Sequence, residues 1–343
     1  MSRSDSRPQK RHARVLRAAA ACLVLLAIAG YVATQYVTSS TGPARCTVRT
    51  AGAESQDYEI KPEQAANAAT ITAVGSQRGL PERAVTIALA TAMQESSLLN
   101  IGHGDRDSLG LFQQRPSQGW GSQRQIQDPV YSSGKFYDHL VQIPGYSRLP
   151  LTVAAQRVQH SGFPQAYAKH ETNASLLTAA LTGRRAAAFN CTTGPAGGDG
   201  KAGSPAQVRD RLVREFGKNV LPGHKPRVPA SAEGVSLRES DSRSKADSPS
   251  NDDSRSKGDV QARTSAAAEP EVRIPARGDQ RGWELAHWAV ANSSDLHIAR
   301  VSYGNRVWDA SSSEQGWRTR EDAGGTSEGE RAASVSVRLA TGE

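Results

Sequence analysis

Glu95 stands at the end of a run in which Val85, Ala88, Leu89, Ala92 and Met93 recur at helical spacing. That periodicity predicts a helix with a buried face, entered at Pro81, whose missing N–H costs nothing in a first turn. A carboxyl group near the C-terminal end of such a helix meets two influences of one sign. The apolar Leu98 and Leu99 disfavour its charge, and so does the negative end of the helix dipole. Both predict a carboxyl that keeps its proton near neutral pH, as a general acid must. Further on, Ser108-Leu109-Gly110-Leu111-Phe112-Gln113-Gln114-Arg115-Pro116 is too short and glycine-broken for a helix. It reads as a short strand or extended turn that sets a glutamine beside the acid. Alone, Gln94-Glu95-Ser96 would read as a solvated helix end; the pairing with that turn points to chemistry.

Glu-Ser at a helix end, a polar loop, then Ser-x-Gly-Leu-Phe-Gln and a nearby proline resembles the lysozyme-like superfamily, especially soluble lytic transglycosylases and goose-type lysozymes. The resemblance runs from about Asp57 to Ala188. It implies that Glu95 is the catalytic acid with Ser96 beside it. It also implies that Gly110, Leu111 and Gln113 line a glycan cleft, with Phe112 where the family often has methionine. The family's later Ala-Tyr-Asn-x-Gly is matched loosely by Val158-Gln159-His160-Ser161-Gly162, with His160 where asparagine is expected. His160 and Tyr167, which stands where relatives carry a cleft tyrosine, complete the implied substrate-binding set. Asp105 and Asp107 are candidates for a second carboxylate, since lysozymes place an aspartate downstream of the glutamate. Against that, Gly-Asp-Arg-Asp is turn chemistry, with its carboxylates pairing Arg106 or nearby N–H groups. Transglycosylases work with one carboxyl group, because the 6-hydroxyl of the sugar attacks in place of water, so a second is not obligatory. The implied activity is cleavage of the β-1,4 bond between N-acetylmuramic acid and N-acetylglucosamine in peptidoglycan glycan strands, with no cofactor and no metal. A wall-binding or scaffold protein that keeps an inactive cleft is the alternative.

The elements that must position these residues are mainly helical. Lys61-Pro62-Glu63 opens one helix, stopped at Gly79; Asp128-Pro129 opens another, bearing Phe136, Tyr137 and Leu140; Thr152 caps a third. Ser204-Pro205 caps a last one, ended by Gly217. The expected fold is therefore a mainly α, lysozyme-like domain over 46–216 with a small extended segment at the cleft. Trp120, Tyr131 and Tyr167 could stack on sugar rings, although core packing is the commoner use of such residues.

Outside this domain, composition divides the chain. The net charge of +8 in 343 residues resembles a nucleic-acid signal, but six basic residues against Asp5 place most of it before residue 18. The remainder is near balance and has no basic–aromatic pattern, which excludes a nucleic-acid module. Residues 1–17 read as a basic cytoplasmic tail. The apolar stretch 18–37 reads as a transmembrane anchor, with the main domains outside the cell membrane, or else as the signal of a secreted protein. Cys46 and Cys191 then lie in an oxidising compartment and bracket the lysozyme-like segment. A disulfide between them would close a loop of roughly 145 residues, worth up to ~5 kcal/mol. Neither has the companion spacing of a metal site. Residues 217–282 lack aromatics and twice carry Asp-Ser-Arg-Ser-Lys, the composition of a disordered linker. Residues 283–343 hold four of the five tryptophans and read as a small α+β module: a helix from Trp283, a hairpin about Gly304-Asn305 and a strand from Ala333 to Leu339. This resembles a small C-terminal module of other exported actinobacterial proteins. On the tether it reads as a targeting module; the alternative is that its tryptophans are simply core.

Overall fold

The computed structural model describes residues 19–32, 42–49, 57–161, 165–193, 200–224, 270–320 and 333–342. The described residues 19–32 are helical (α1), and all of them are exposed. No helix among the described residues is long and apolar enough to cross a membrane. The expectation of a transmembrane helix over 18–37 is corrected accordingly; the tail 1–17 lies outside the described residues.

Six helices and one short one build the body around Glu95. Helix α2 (Pro62–Gln77) and α3 (Glu82–Ser96) are small-residue helices whose alanines and threonines allow close approach. Around them pack α4 (Gln123–Ile126), α5 (Pro129–Val141), α6 (Leu151–Gln159), α7 (Glu171–Leu181) and α8 (Pro205–Phe216). Asp128 caps α5 by accepting from Val130 and Tyr131 N–H, and Ser204 caps α8 by accepting from Gln207 N–H. Helix α6 begins at Leu151 with Pro150 at its cap, so Thr152 is already inside it.

A three-stranded sheet closes the back of this body, in order β2-β1-β3, from β1 (Arg45–Val48), β2 (Tyr58–Ile60) and β3 (Phe189–Thr192). Sequence periodicity missed it because strands of three or four residues are too short to alternate legibly. The expected disulfide is present: Cys46 and Cys191 face each other across the antiparallel β1–β3 pair.

The C-terminal unit is a five-stranded antiparallel sheet, β4-β8-β5-β6-β7, with helix α9 (Asp279–Ala291) packed against it. The hairpin of β5 (Ile298–Tyr303) and β6 (Arg306–Asp309) turns at Gly304-Asn305 as expected, and β7 is Arg318–Thr319. Strand β8 (Ser334–Leu339) pairs with β5 and with β4 (Glu271–Pro275). Thus 271–282, assigned from composition to the linker, is a strand and the start of a helix; most of the expected linker, 225–269, lies outside the described residues.

The unit is docked on the body. Trp288 Nε1 donates to Glu215 Oε2 at 2.6 Å, and Thr70 Oγ1 and Arg211 Nε donate to Oε1 of the same buried carboxylate, each at 3.0 Å. Trp308 Nε1 donates to Asn190 Oδ1 at 2.8 Å and Trp317 Nε1 to the Phe189 carbonyl at 2.8 Å, both on β3. His287 is fully buried between Trp283, Trp317 and Phe189, its Nδ1 donating to the Ala180 carbonyl at 2.7 Å. All four C-terminal tryptophans are buried. Their apolar rings form core, and the N–H groups of Trp288, Trp308 and Trp317 find acceptors, which is how a buried indole is satisfied.

Candidate functional site

Glu95 is the penultimate residue of α3, and the two residues beyond the helix end set its surroundings. Ser97 and Leu98 both take positive φ, 55° and 62°, while their N–H groups close back on Met93 and Ala92. The chain therefore turns sharply, driving Leu98 into the core and leaving the Glu95 carboxyl half-buried. Tyr167, whose ring is completely buried, donates its hydroxyl to Glu95 Oε1 at 2.6 Å. Gln159, the last residue of α6, donates its Nε2 to the Phe112 carbonyl of the neighbouring hairpin at 2.8 Å and is a second side chain favouring the charged form of this carboxyl. Burial pushes the Glu95 pKa up, and Tyr167 and Gln159, which favour the charged form, pull against it. The net direction is upward, as the helix-end environment suggested. The same contact, with burial as the larger cause, drives the Tyr167 pKa up, so this phenol stays a proton donor.

The second half of the pattern is a hairpin turn. Leu109 and Gln114 form a single antiparallel bridge, exchanging N–H···O bonds of 2.9 and 3.0 Å. Gly110 has φ +74°, and a Cβ there would lie 2.8 Å from the Ile126 carbonyl, so both conformation and space require glycine. Leu111 and Phe112 point inward, with Phe112 stacked on Phe136 at 4.7 Å between centroids. Ser96 ties this turn to the acid's helix: buried, its Oγ meets the Ala92 carbonyl at 3.1 Å and the Leu111 carbonyl at 2.8 Å. Its role here is to hold the two halves together. Gln113 is half-buried, and its Nε2 donates to the carbonyls of His103, at 3.3 Å, and Gly110, at 3.2 Å.

The remaining residues separate. His160 is exposed and ends α6 in the left-handed region, φ 51°, a conformation that asparagine adopts readily and histidine tolerates. Asp107 accepts from Arg115 Nε at 2.7 Å and from Ser117 N at 2.8 Å and Oγ at 3.0 Å. The Arg115 guanidinium, followed by the Ser117 donors, holds its carboxyl far below the usual range. Asp105 is exposed, with its carboxylate 3.9 Å from Arg106. No hydrogen bond or ion pair among the described residues joins either aspartate to Glu95. Trp120 leans on His139, ring centroids 4.2 Å apart.

Sequence reasoning missed Gln159, whose Nε2 holds the Phe112 carbonyl of the hairpin; its only signal was its place beside His160. It also missed Gln114, buried, with Nε2 on the Ser132 carbonyl at 3.0 Å. Two cavities of about 680 and 440 Å³ lie at the seam with the C-terminal unit, away from Glu95. No group of histidine, cysteine, aspartate and glutamate among the described residues could hold a metal ion.

Comparison with known proteins bears on the other end of the molecule. The family model described as VldE, C-terminal domain, matches residues 266–330. That span is well under half of the chain and covers most of the five-stranded unit, not the Glu95 site. No curated protein matches the chain.

Proposed function

We propose that this protein cleaves the β-1,4 bond between N-acetylmuramic acid and N-acetylglucosamine in peptidoglycan, with Glu95 as general acid and base. The observation that carries this reading is the half-buried Glu95 carboxyl, raised in pKa, held by Tyr167 and set beside the Gly110–Gln113 turn. Glu95 gives its proton to the bridging oxygen as the C1–O bond breaks. The resulting oxocarbenium-like centre is captured by the 6-hydroxyl of the same sugar, whose proton passes to the Glu95 carboxylate. A single carboxyl group then completes the cycle. This route is favoured over attack by water because neither candidate second carboxylate is tied to Glu95: Asp107 is occupied by Arg115 and Ser117, and Asp105 is exposed beside Arg106. Gln113 and the backbone around Gly110 are the groups available to an N-acetyl substituent. The Cys46–Cys191 bridge suits work outside the cytoplasm.

Mass spectrometry of peptidoglycan digested with the purified protein tests the reading. Products with 1,6-anhydro ends are expected. Reducing ends would replace intramolecular capture by hydrolysis, and absence of products would leave a wall-binding or scaffold role instead.

A further inference from the structure

Resting on the assignment of Glu95 as the acid, we propose that Asn67 is a positioning residue: from α2, with Gln64 beside it, it pins the turn that ends the acid's helix and so sets the place of the carboxyl. The turn is one that its own residues resist. Ser97 and Leu98, at φ 55° and 62°, are the one consecutive pair of non-glycine residues at positive φ among the described residues. Leucine lacks the local side-chain hydrogen bond that lets asparagine or aspartate adopt this conformation, so it must be held there from elsewhere. The N–H groups of Ser97 and Leu98 are satisfied by the Met93 and Ala92 carbonyls, each at 3.0 Å. The two carbonyls of the turn are taken by α2. Asn67, buried, donates Nδ2 to the Leu98 carbonyl at 2.8 Å, and Gln64 donates Nε2 to the Ser97 carbonyl at 2.6 Å. Three residues apart in α2, the two side chains share one helix face and grip successive carbonyls.

In the chain this turn stands between the two halves of the site. Glu95 lies two residues before Ser97. Three residues after Leu98, the Ile101 carbonyl accepts the Gly110 N–H at 2.8 Å, which ties the hairpin to the same segment. A turn that relaxed to negative φ would draw Leu98 from the core, where it is fully buried, and open the Glu95 carboxyl to water. Nearby polar side chains are committed elsewhere. Ser96 Oγ engages the Ala92 and Leu111 carbonyls, and Asn100 Nδ2 donates to the Gln127 carbonyl at 2.8 Å. Gln64 is itself anchored, its Oε1 accepting from Lys61 N–H at 2.7 Å.

Burial is the largest cause of the raised Glu95 pKa, so admitting water must lower it. The test is a 13C NMR titration of the Glu95 side-chain carbon in glutamate-labelled protein, its resonance identified by its loss in Glu95→Gln. In Asn67→Leu the Glu95 midpoint should fall by about half to one unit, with amide spectra of the C-terminal unit unchanged. Asn67→Ser, whose hydroxyl is too short to span the gap, should move it in the same direction and covers the case in which leucine does not fold. If Asn67 only stabilised the fold, its loss would lower the Tm and leave the Glu95 midpoint in place; that result in a folded variant would overturn the proposal. The titration needs no activity: a shifted midpoint together with no glycan products from the unaltered protein would sink the proposed reaction and leave the hold of α2 on the carboxyl standing.

Discussion

At the scale of single residues, Glu95 is governed by a contest between burial, which holds its proton, and two hydrogen-bond donors, which favour its release. Glu95→Gln keeps the volume and an oxygen for the Tyr167 hydroxyl but removes the transferable proton. Glycan cleavage should be lost, by on the order of a hundredfold or more, with the circular dichroism spectrum unchanged; retained cleavage would remove the assignment. Stability carries a second signature. A carboxyl whose folded pKa exceeds its unfolded one disfavours the folded state as pH rises through that window. The glutamine variant should therefore melt higher than the unaltered protein at pH 7, and the gain should vanish near pH 3, where both forms are neutral. An equal Tm difference at the two pH values would contradict the burial argument.

Among elements, the hairpin and the loop before it decide what reaches the acid. Gly110→Ala meets a positive φ and the Ile126 carbonyl at once. It should cost about 1–3 kcal/mol in urea unfolding and displace the turn. A variant as stable as the original would mean that the backbone relaxes there freely. Asp107 is a turn lock, fastened by Arg115 and Ser117. Asp107→Asn keeps most of that geometry, so kcat/KM on glycan strands should fall by no more than about tenfold. A loss as deep as that of Glu95→Gln would make Asp107 the second carboxylate and restore the hydrolytic scheme.

For the whole molecule, the C-terminal unit behaves as part of the body. Helix α9 lies against α2, α7 and β3, and Gly183, φ +72°, touches its Gln280 carbonyl so closely that no side chain fits between them. Glu215 gathers Thr70 of α2, Arg211 of α8 and Trp288 of α9 around one fully buried carboxylate, whose pKa burial pushes up. Trp288→Phe keeps a ring but withdraws the N–H, leaving a buried acceptor short of a donor. A loss of about 1–3 kcal/mol is expected, read as a single shifted unfolding transition by both near-ultraviolet circular dichroism and hydrogen exchange at α2. If only the C-terminal unit loosened while α2 kept its protection, the two parts would be separable and the tethered arrangement expected from composition would return.

What the sequence determined alone was whatever depends on local pattern. The apolar period placed α3 and put Glu95 at its end; Asp128-Pro129 and Ser204-Pro205 marked helix starts; Gly304-Asn305 marked a hairpin; and two cysteines flanking one segment anticipated the β1–β3 bridge. Each of these signals is written within a few residues, or in a residue type with few other uses. Tertiary structure decided the rest, because it depended on partners distant in the chain. Tyr167 meets Glu95 across 72 positions, and Trp288 meets Glu215 across 73. The same indole could have stacked on a sugar or filled a core, and composition cannot distinguish these uses. Strand β4 shows the limit most directly: Glu-Val-Arg-Ile-Pro within a polar, charge-mixed stretch is a strand only because β8, more than 60 residues later, offers it a ladder.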